Sequence, residues 1–149
     1  MIKNLEVNNS SNIKISKLLV HKIVGLLKNE FNFTVSSLLV NFVSADQIIK
    51  INKKFLNHNY STDIITFSYS GEYQVVDSEI YISVEDAESN AVQFGVTFSE
   101  EILRLLIHGI LHLLGFDDKT PELKRKMKAV ENRLCKKYSN SVLGKKIES

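Results

Sequence analysis

Tryptophan is absent from this 149-residue chain, and cysteine and proline occur once each. A lone thiol, Cys135, excludes an internal disulfide and argues against a secreted fold stapled by cross-links. With a single proline (Pro121) and six glycines, the chain has no low-complexity linker, and no internal repeat divides it. Long hydrophobic runs are missing too. The most apolar stretch, around 102–116, is broken by Arg104 and two histidines and is too short to span a bilayer. The opening residues, Met1 to Glu6, hold no apolar segment of the signal-peptide kind. A cytoplasmic setting with no membrane partner is therefore expected.

What remains is ample for one core: 44% of residues are hydrophobic and 24% charged, ordinary values for a single globular domain of this length. The net charge of +2 hides an asymmetry. Residues 1–118 carry 9 Lys and Arg against 14 Asp and Glu, whereas residues 119–149 carry 10 against 3. A basic C-terminal segment suits an anionic partner such as nucleic acid, although a solvated helix face with a basic tail gives the same balance.

Hydrophobic periodicity predicts a strand over 2–7, a helix over 16–30 capped by Ser16, a strand over 35–43 and a helix over 46–55. Strands follow over 63–69 and 79–84, separated by a looser stretch, 70–78. Thr97 and Glu100 have capping-box spacing and open a helix that is apolar on nearly all sides, so it is central and buried, with Gly115 as its stop. Thr120, Pro121 and Glu122 start a last helix with a buried stripe of Leu123, Met127, Val130 and Leu134. The order β-α-β-α-β-β-α-α predicts a single α+β domain, a small mixed sheet packed with helices. The domain is expected over 1–138, with 139–149 a basic, mobile tail.

His108 and His112 sit four residues apart on the central helix, near its C-terminal end. That spacing turns one ring about 40° from the other and separates them by about 6 Å, so both can reach one ion. Asp117 and Asp118 follow the helix stop, where the chain can fold back; spacing does not choose between them. Three protein ligands with a free fourth position form the catalytic zinc pattern, and such a site activates water. Two core histidines and a solvated Asp pair give the same sequence, but each buried ring needs a polar partner, and one shared ion satisfies both. A zinc protease would place a glutamate directly after the first histidine. Here Gly109 stands there, which removes the general base and leaves room for something to approach the helix closely.

The stretch His108-Gly-Ile-Leu-His-Leu-Leu-Gly-Phe-Asp-Asp118 resembles the signature of the YbeY family of endoribonucleases, His-Gly-x-Leu-His-Leu-x-Gly-Tyr-Asp-His. Ile51-Asn-Lys-Lys-Phe55 with Ser61-Thr-Asp-Ile-Ile-Thr-Phe67, and Glu79-Ile-Tyr-Ile-Ser83, are similar to two further family blocks, so the likeness covers most of residues 1–138. It implies a zinc-dependent, single-strand-specific endoribonuclease of the bacterial cytoplasm, acting with the small ribosomal subunit in 16S ribosomal RNA maturation and ribosome quality control. It also assigns one Zn2+ to His108, His112 and Asp118, the last in place of the family's third histidine. A carboxylate is a normal zinc ligand, but it lowers the charge of the site, so a more alkaline pH optimum and tolerance of harder metals such as manganese are expected. The family's conserved arginine falls on Leu56, which cannot stabilise phosphate charge. Lys53, Lys54 and His58 are the nearby candidates to replace it, and Lys124, Arg125 and Lys128 of the last helix are candidates to grip the RNA backbone. Two rival readings are kept: a ribosome-assembly RNA-binding factor whose metal is structural, and a metal hydrolase of another substrate.

Overall fold

The computed structural model describes residues 1–58 and 60–143. Its order is β1 (Leu5–Asn9), α1 (Lys17–Phe31), β2 (Thr34–Val43), α2 (Ala45–Leu56), β3 (Ile64–Ser68), β4 (Val75–Ser83), α3 (Val84–Phe94), α4 (Phe98–Leu113) and α5 (Pro121–Leu143). The four strands form one mixed sheet in the order β1-β2-β4-β3. β1–β2 and β2–β4 are parallel, and β3–β4 are antiparallel. The expected α+β class is the observed one.

Local chemistry fixes the helix starts. Ser16 accepts a hydrogen bond from the Leu19 N–H at 3.1 Å, and Ser44 with Gln47 and Thr97 with Glu100 form complete capping boxes. The alternation of side chains then divides the sheet into two faces. Leu38, Val40, Phe42, Ile80 and Ile82 enter the main core with α1, α4 and α5. Val43, Ile65, Phe67 and Tyr81 turn to the other face, where Ile48 and Ile51 of α2 meet them. Thus α2 and α4 lie on opposite sides of the sheet.

Gly109 explains how closely α4 lies on that sheet. A Cβ there would stand 2.8 Å from Cδ1 of Ile64 in β3, too near for real atoms. The room that glycine provides is taken by the sheet.

The chain departs from its periodicity in several places, beginning with β1, which runs over Leu5–Asn9 rather than 2–7. Helix α3 was not expected: only Val84, Ala87 and Ala91 of its eleven residues are buried, a stripe of mostly small side chains. β4 begins at Val75, inside the stretch expected to be loose, because Val75 and Val76 pair with Thr34 and Val35 of β2. α5 continues past 138 to Leu143, with Ser139 and Val142 buried, so 139–143 of the expected tail are helical; residues 144–149 of it lie outside the described residues. Leu123, assigned to the buried stripe of α5, is 38% exposed. Glu131 is buried in that stripe instead.

Candidate metal centre

α4 is held centrally by α1, α3 and α5 and by β3 and β4. It presents Arg104, His108 and His112 at successive four-residue steps, one turn apart on a single face. The chain then reverses. The Phe116 N–H donates to the Leu111 carbonyl at 3.0 Å and the Gly115 N–H to the His112 carbonyl at 3.1 Å, a Schellman closure. Gly115 takes φ +102°, and a Cβ on it would press on the Tyr73 ring at 3.2 Å. Phe116 packs edge-on against Phe31, with ring centres 6.2 Å apart, and anchors the turn. The reversal returns Asp118 to the histidines.

One ligand atom from each of His108, His112 and Asp118 lies within 4.8 Å of the others. The two rings meet edge to face at 4.8 Å, and Nε2 of His112 is 3.9 Å from a carboxylate oxygen of Asp118. Zinc bonds of about 2 Å place tetrahedral ligands about 3.4 Å apart, so a small rotation of these side chains would close the set on an ion. Asp117 is used differently: its carboxylate accepts the Lys119 N–H at 3.0 Å and stabilises the turn. Among the described residues, only Cys135 offers a thiol; burial pushes it up to about 11, and it is not in the cluster.

The protonation states suit a cation. Burial, then the neighbouring His108, lowers the pKa of His112, favouring a neutral ring. His108 contacts Glu131 through Nδ1 at 2.6 Å. Burial opposes ionisation of Glu131, but hydrogen bonds from His108 and Lys128 outweigh it and hold the acid at about 2. An ionised carboxylate only accepts, so His108 donates its Nδ1–H and leaves Nε2 with its lone pair for a metal.

Sequence reasoning missed Glu131 and the network behind it. Arg104 donates to Glu101 at 2.6 and 2.9 Å and to Glu131 at 3.2 Å, and Lys128 donates to Glu131 at 3.0 Å. Asn90 joins Asp63 and Glu101 at 3.0 Å each. Glu101 and Glu131 are each only 1% exposed, and hydrogen bonds to Glu101 raise the Arg104 pKa, so this guanidinium is always charged. A signal existed: Glu131 stands in phase with Met127 and Leu134, and a carboxylate in a buried stripe needs a partner.

The candidate RNA contacts separate into two groups. Lys124, Arg125 and Lys128 line a cavity of about 500 Å³ together with His108 and Asp118. Lys53, Lys54 and His58 are not among its lining residues. Lys53 and Lys54 end α2, on the other side of the sheet, and His58 stacks on Tyr60, with Nδ1 3.0 Å from the tyrosine hydroxyl. Leu56 is 43% exposed.

A family model described as Endoribonuclease YbeY matches residues 2–139. The Endoribonuclease YbeY of Chlorobaculum parvum is 41% identical over 128 residues, 86% of this chain and 90% of its own length. That of Phocaeicola vulgatus is 44% identical over 92 residues, 62% of this chain and 66% of its own. The solution structure of TM1509 from Thermotoga maritima superposes with a TM-score of 0.61 at 30% identity, covering 94% of this chain and 89% of that one. With the match running through both histidines, the chain reversal and α5, this chain belongs to the YbeY endoribonuclease family.

Proposed function

We propose that this protein is a zinc-dependent, single-strand-specific endoribonuclease of ribosomal RNA, with His108, His112 and Asp118 as the metal ligands. The convergence of those three side chains, two of which (His108 and Asp118) line a cavity with Lys124, Arg125 and Lys128, is the observation that carries it. The ribosomal substrate, the small ribosomal subunit as partner, the quality-control role and the cytoplasmic setting rest on family membership. No helix among the described residues is long and apolar enough to cross a membrane.

A divalent ion at this site supplies Lewis-acid polarisation of a phosphodiester and an activated water. The protein's own groups do the rest. Glu131 fixes the tautomer and direction of His108. Asp118, 48% exposed, leaves one side of the cluster open to a substrate. The cations of α5 hold phosphates without reading bases.

The test is cleavage of single-stranded against duplex RNA by protein of known metal content, wild type beside His112→Ala. The expected result is one metal per chain and cleavage of the single strand, both lost in the variant. Unchanged cleavage by His112→Ala would overturn the reading. Leu56, where the family carries arginine, favours the second reading, an assembly factor with a structural metal; RNA binding without any cleavage would support it. Asp118→His is expected to move the pH–rate profile to lower pH, and an unmoved profile would count against a carboxylate ligand.

A further inference from the structure

Beside the metal cluster, a second and larger cavity of about 700 Å³ opens between α3, α4 and α5. It shares Arg104 and Lys128 with the metal-side cavity, so the two adjoin. Its volume lies within the range of built small-molecule sites, about 300–1,000 Å³.

The two cavities differ in charge. On the metal side, Arg104, Lys124, Arg125 and Lys128 face only Asp118 and Glu131, an excess of positive charge fit for phosphate. In the larger cavity, Arg104, Lys128 and Lys136 are matched by Asp63, Glu100 and Glu101. A balanced site does not attract an anion. It has instead an apolar wall of Phe94, Val96 and Leu103, with the amides of Asn90 and Asn132 at its edges. Phe94 ends α3 and is 56% exposed, although it is large and apolar; the Arg104 guanidinium lies 6.0 Å from its ring centre. An apolar wall that includes an aromatic ring, with the Asn132 amide at its edge, suits a neutral, planar group with hydrogen-bonding edges.

The path between the cavities fits a nucleic acid strand. Lys124, Lys128, Asn132 and Lys136 follow one another at four-residue steps along one exposed face of α5, about 6 Å apart. We propose that the larger cavity is a nucleobase subsite, which takes one unpaired base of the RNA near the scissile bond and stacks it on Phe94 beside Arg104. A paired base cannot turn out of its duplex into the cavity without unstacking. The subsite therefore provides a physical basis for single-strand preference. The inference deepens the proposed function and rests on RNA as the substrate.

The test measures binding of the full-length chain, in chelator, to a short single-stranded RNA and to a ribose-phosphate strand of equal length without bases. Chelator makes the result independent of the metal. Wild type is expected to bind the base-bearing strand on the order of tenfold more tightly. Phe94→Ala is expected to lose most of that preference while binding the baseless strand unchanged, and Phe94→Tyr to restore it. Equal wild-type affinity for both strands would overturn the subsite alone, leaving the nuclease reading intact. So would an equal loss on both strands in Phe94→Ala, which would point to electrostatics or folding, and an unaltered preference in that variant, which would point to an apolar peptide or another occupant. Failure of wild type to bind either strand at low salt would overturn the RNA reading and the subsite with it.

Discussion

The two faces of the sheet carry helices of different chemistry. On one face, α4 and α5 enclose ionised groups: Glu101, Arg104 and Glu131, with His108 attached to the last. On the other, α2 meets the sheet through a small apolar cluster around Ile48 and Ile65, and Lys53 and Lys54 sit exposed at its end. Buried charges need partners at defined distances and so hold geometry. Solvated charges hold nothing in place. The side with the paired charges is where three candidate ligands converge, and that contrast is open to direct attack.

The largest effect is expected from Glu131→Ala. It removes one acceptor from the half-buried Arg104, which keeps Glu101, and the acceptor of the His108 Nδ1–H, and each charge-assisted hydrogen bond lost costs about 1.5–3 kcal/mol. Lys53→Ala on the other face is expected to stay within about 0.5 kcal/mol of wild type. Urea unfolding midpoints measure both, provided the slopes agree. The same residue sets a pH signature. Its folded pKa of about 2 lies below the ordinary 4.5, so its stabilising share is complete above pH 4.5 and is lost as pH falls towards 2. The stability gap between wild type and Glu131→Gln is therefore expected to narrow across that interval. A gap of constant size would mean that the charge of Glu131 contributes nothing to the fold.

Gly109→Ala is expected to come next. Its methyl group meets Cδ1 of Ile64 at 2.8 Å, so that side chain must turn aside or α4 must shift away from β3, an overpacking cost of about 1–3 kcal/mol. Because His108 precedes this glycine, the shift should weaken metal binding as well as stability. A variant as stable as wild type would show that the close approach of helix and sheet is not required.

How much of this was legible in the sequence follows from the kind of signal each feature leaves. α4 announced itself through a capping box, an unbroken apolar face and a glycine stop, and its two histidines fell where helical spacing put them. α3 left almost no trace, because its buried side is made of two alanines and one valine, while its larger apolar residues, Val92 and Phe94, are exposed. Yet Ser83 before it, whose hydroxyl accepts the Asp86 N–H, and Gly95 after it, with φ +69°, are ordinary cap residues that could have marked it. The choice between Asp117 and Asp118 needed either family resemblance or coordinates, since both follow the same turn. Glu131 was hidden for another reason. Twenty-three positions separate it from His108, and no local pattern reports a contact made by packing two helices together.

The smallest effect, and the finest division of the two faces, concerns the exposed lysines. Lys124 lines the cavity that holds His108 and Asp118, while Lys53 does not. If single-stranded RNA lies along α5, Lys124→Ala removes one phosphate contact. The logarithm of affinity against the logarithm of salt should then flatten by about 0.7, with a few-fold loss of binding at low salt. Lys53→Ala should leave slope and affinity unchanged, since a charge across the sheet releases no counterion from that strand. Titrations of both variants at several salt concentrations decide it. Equal changes of slope would mean that RNA wraps the edge of the sheet and uses both faces, and the replacement for the family arginine would then have to be sought near Leu56 after all.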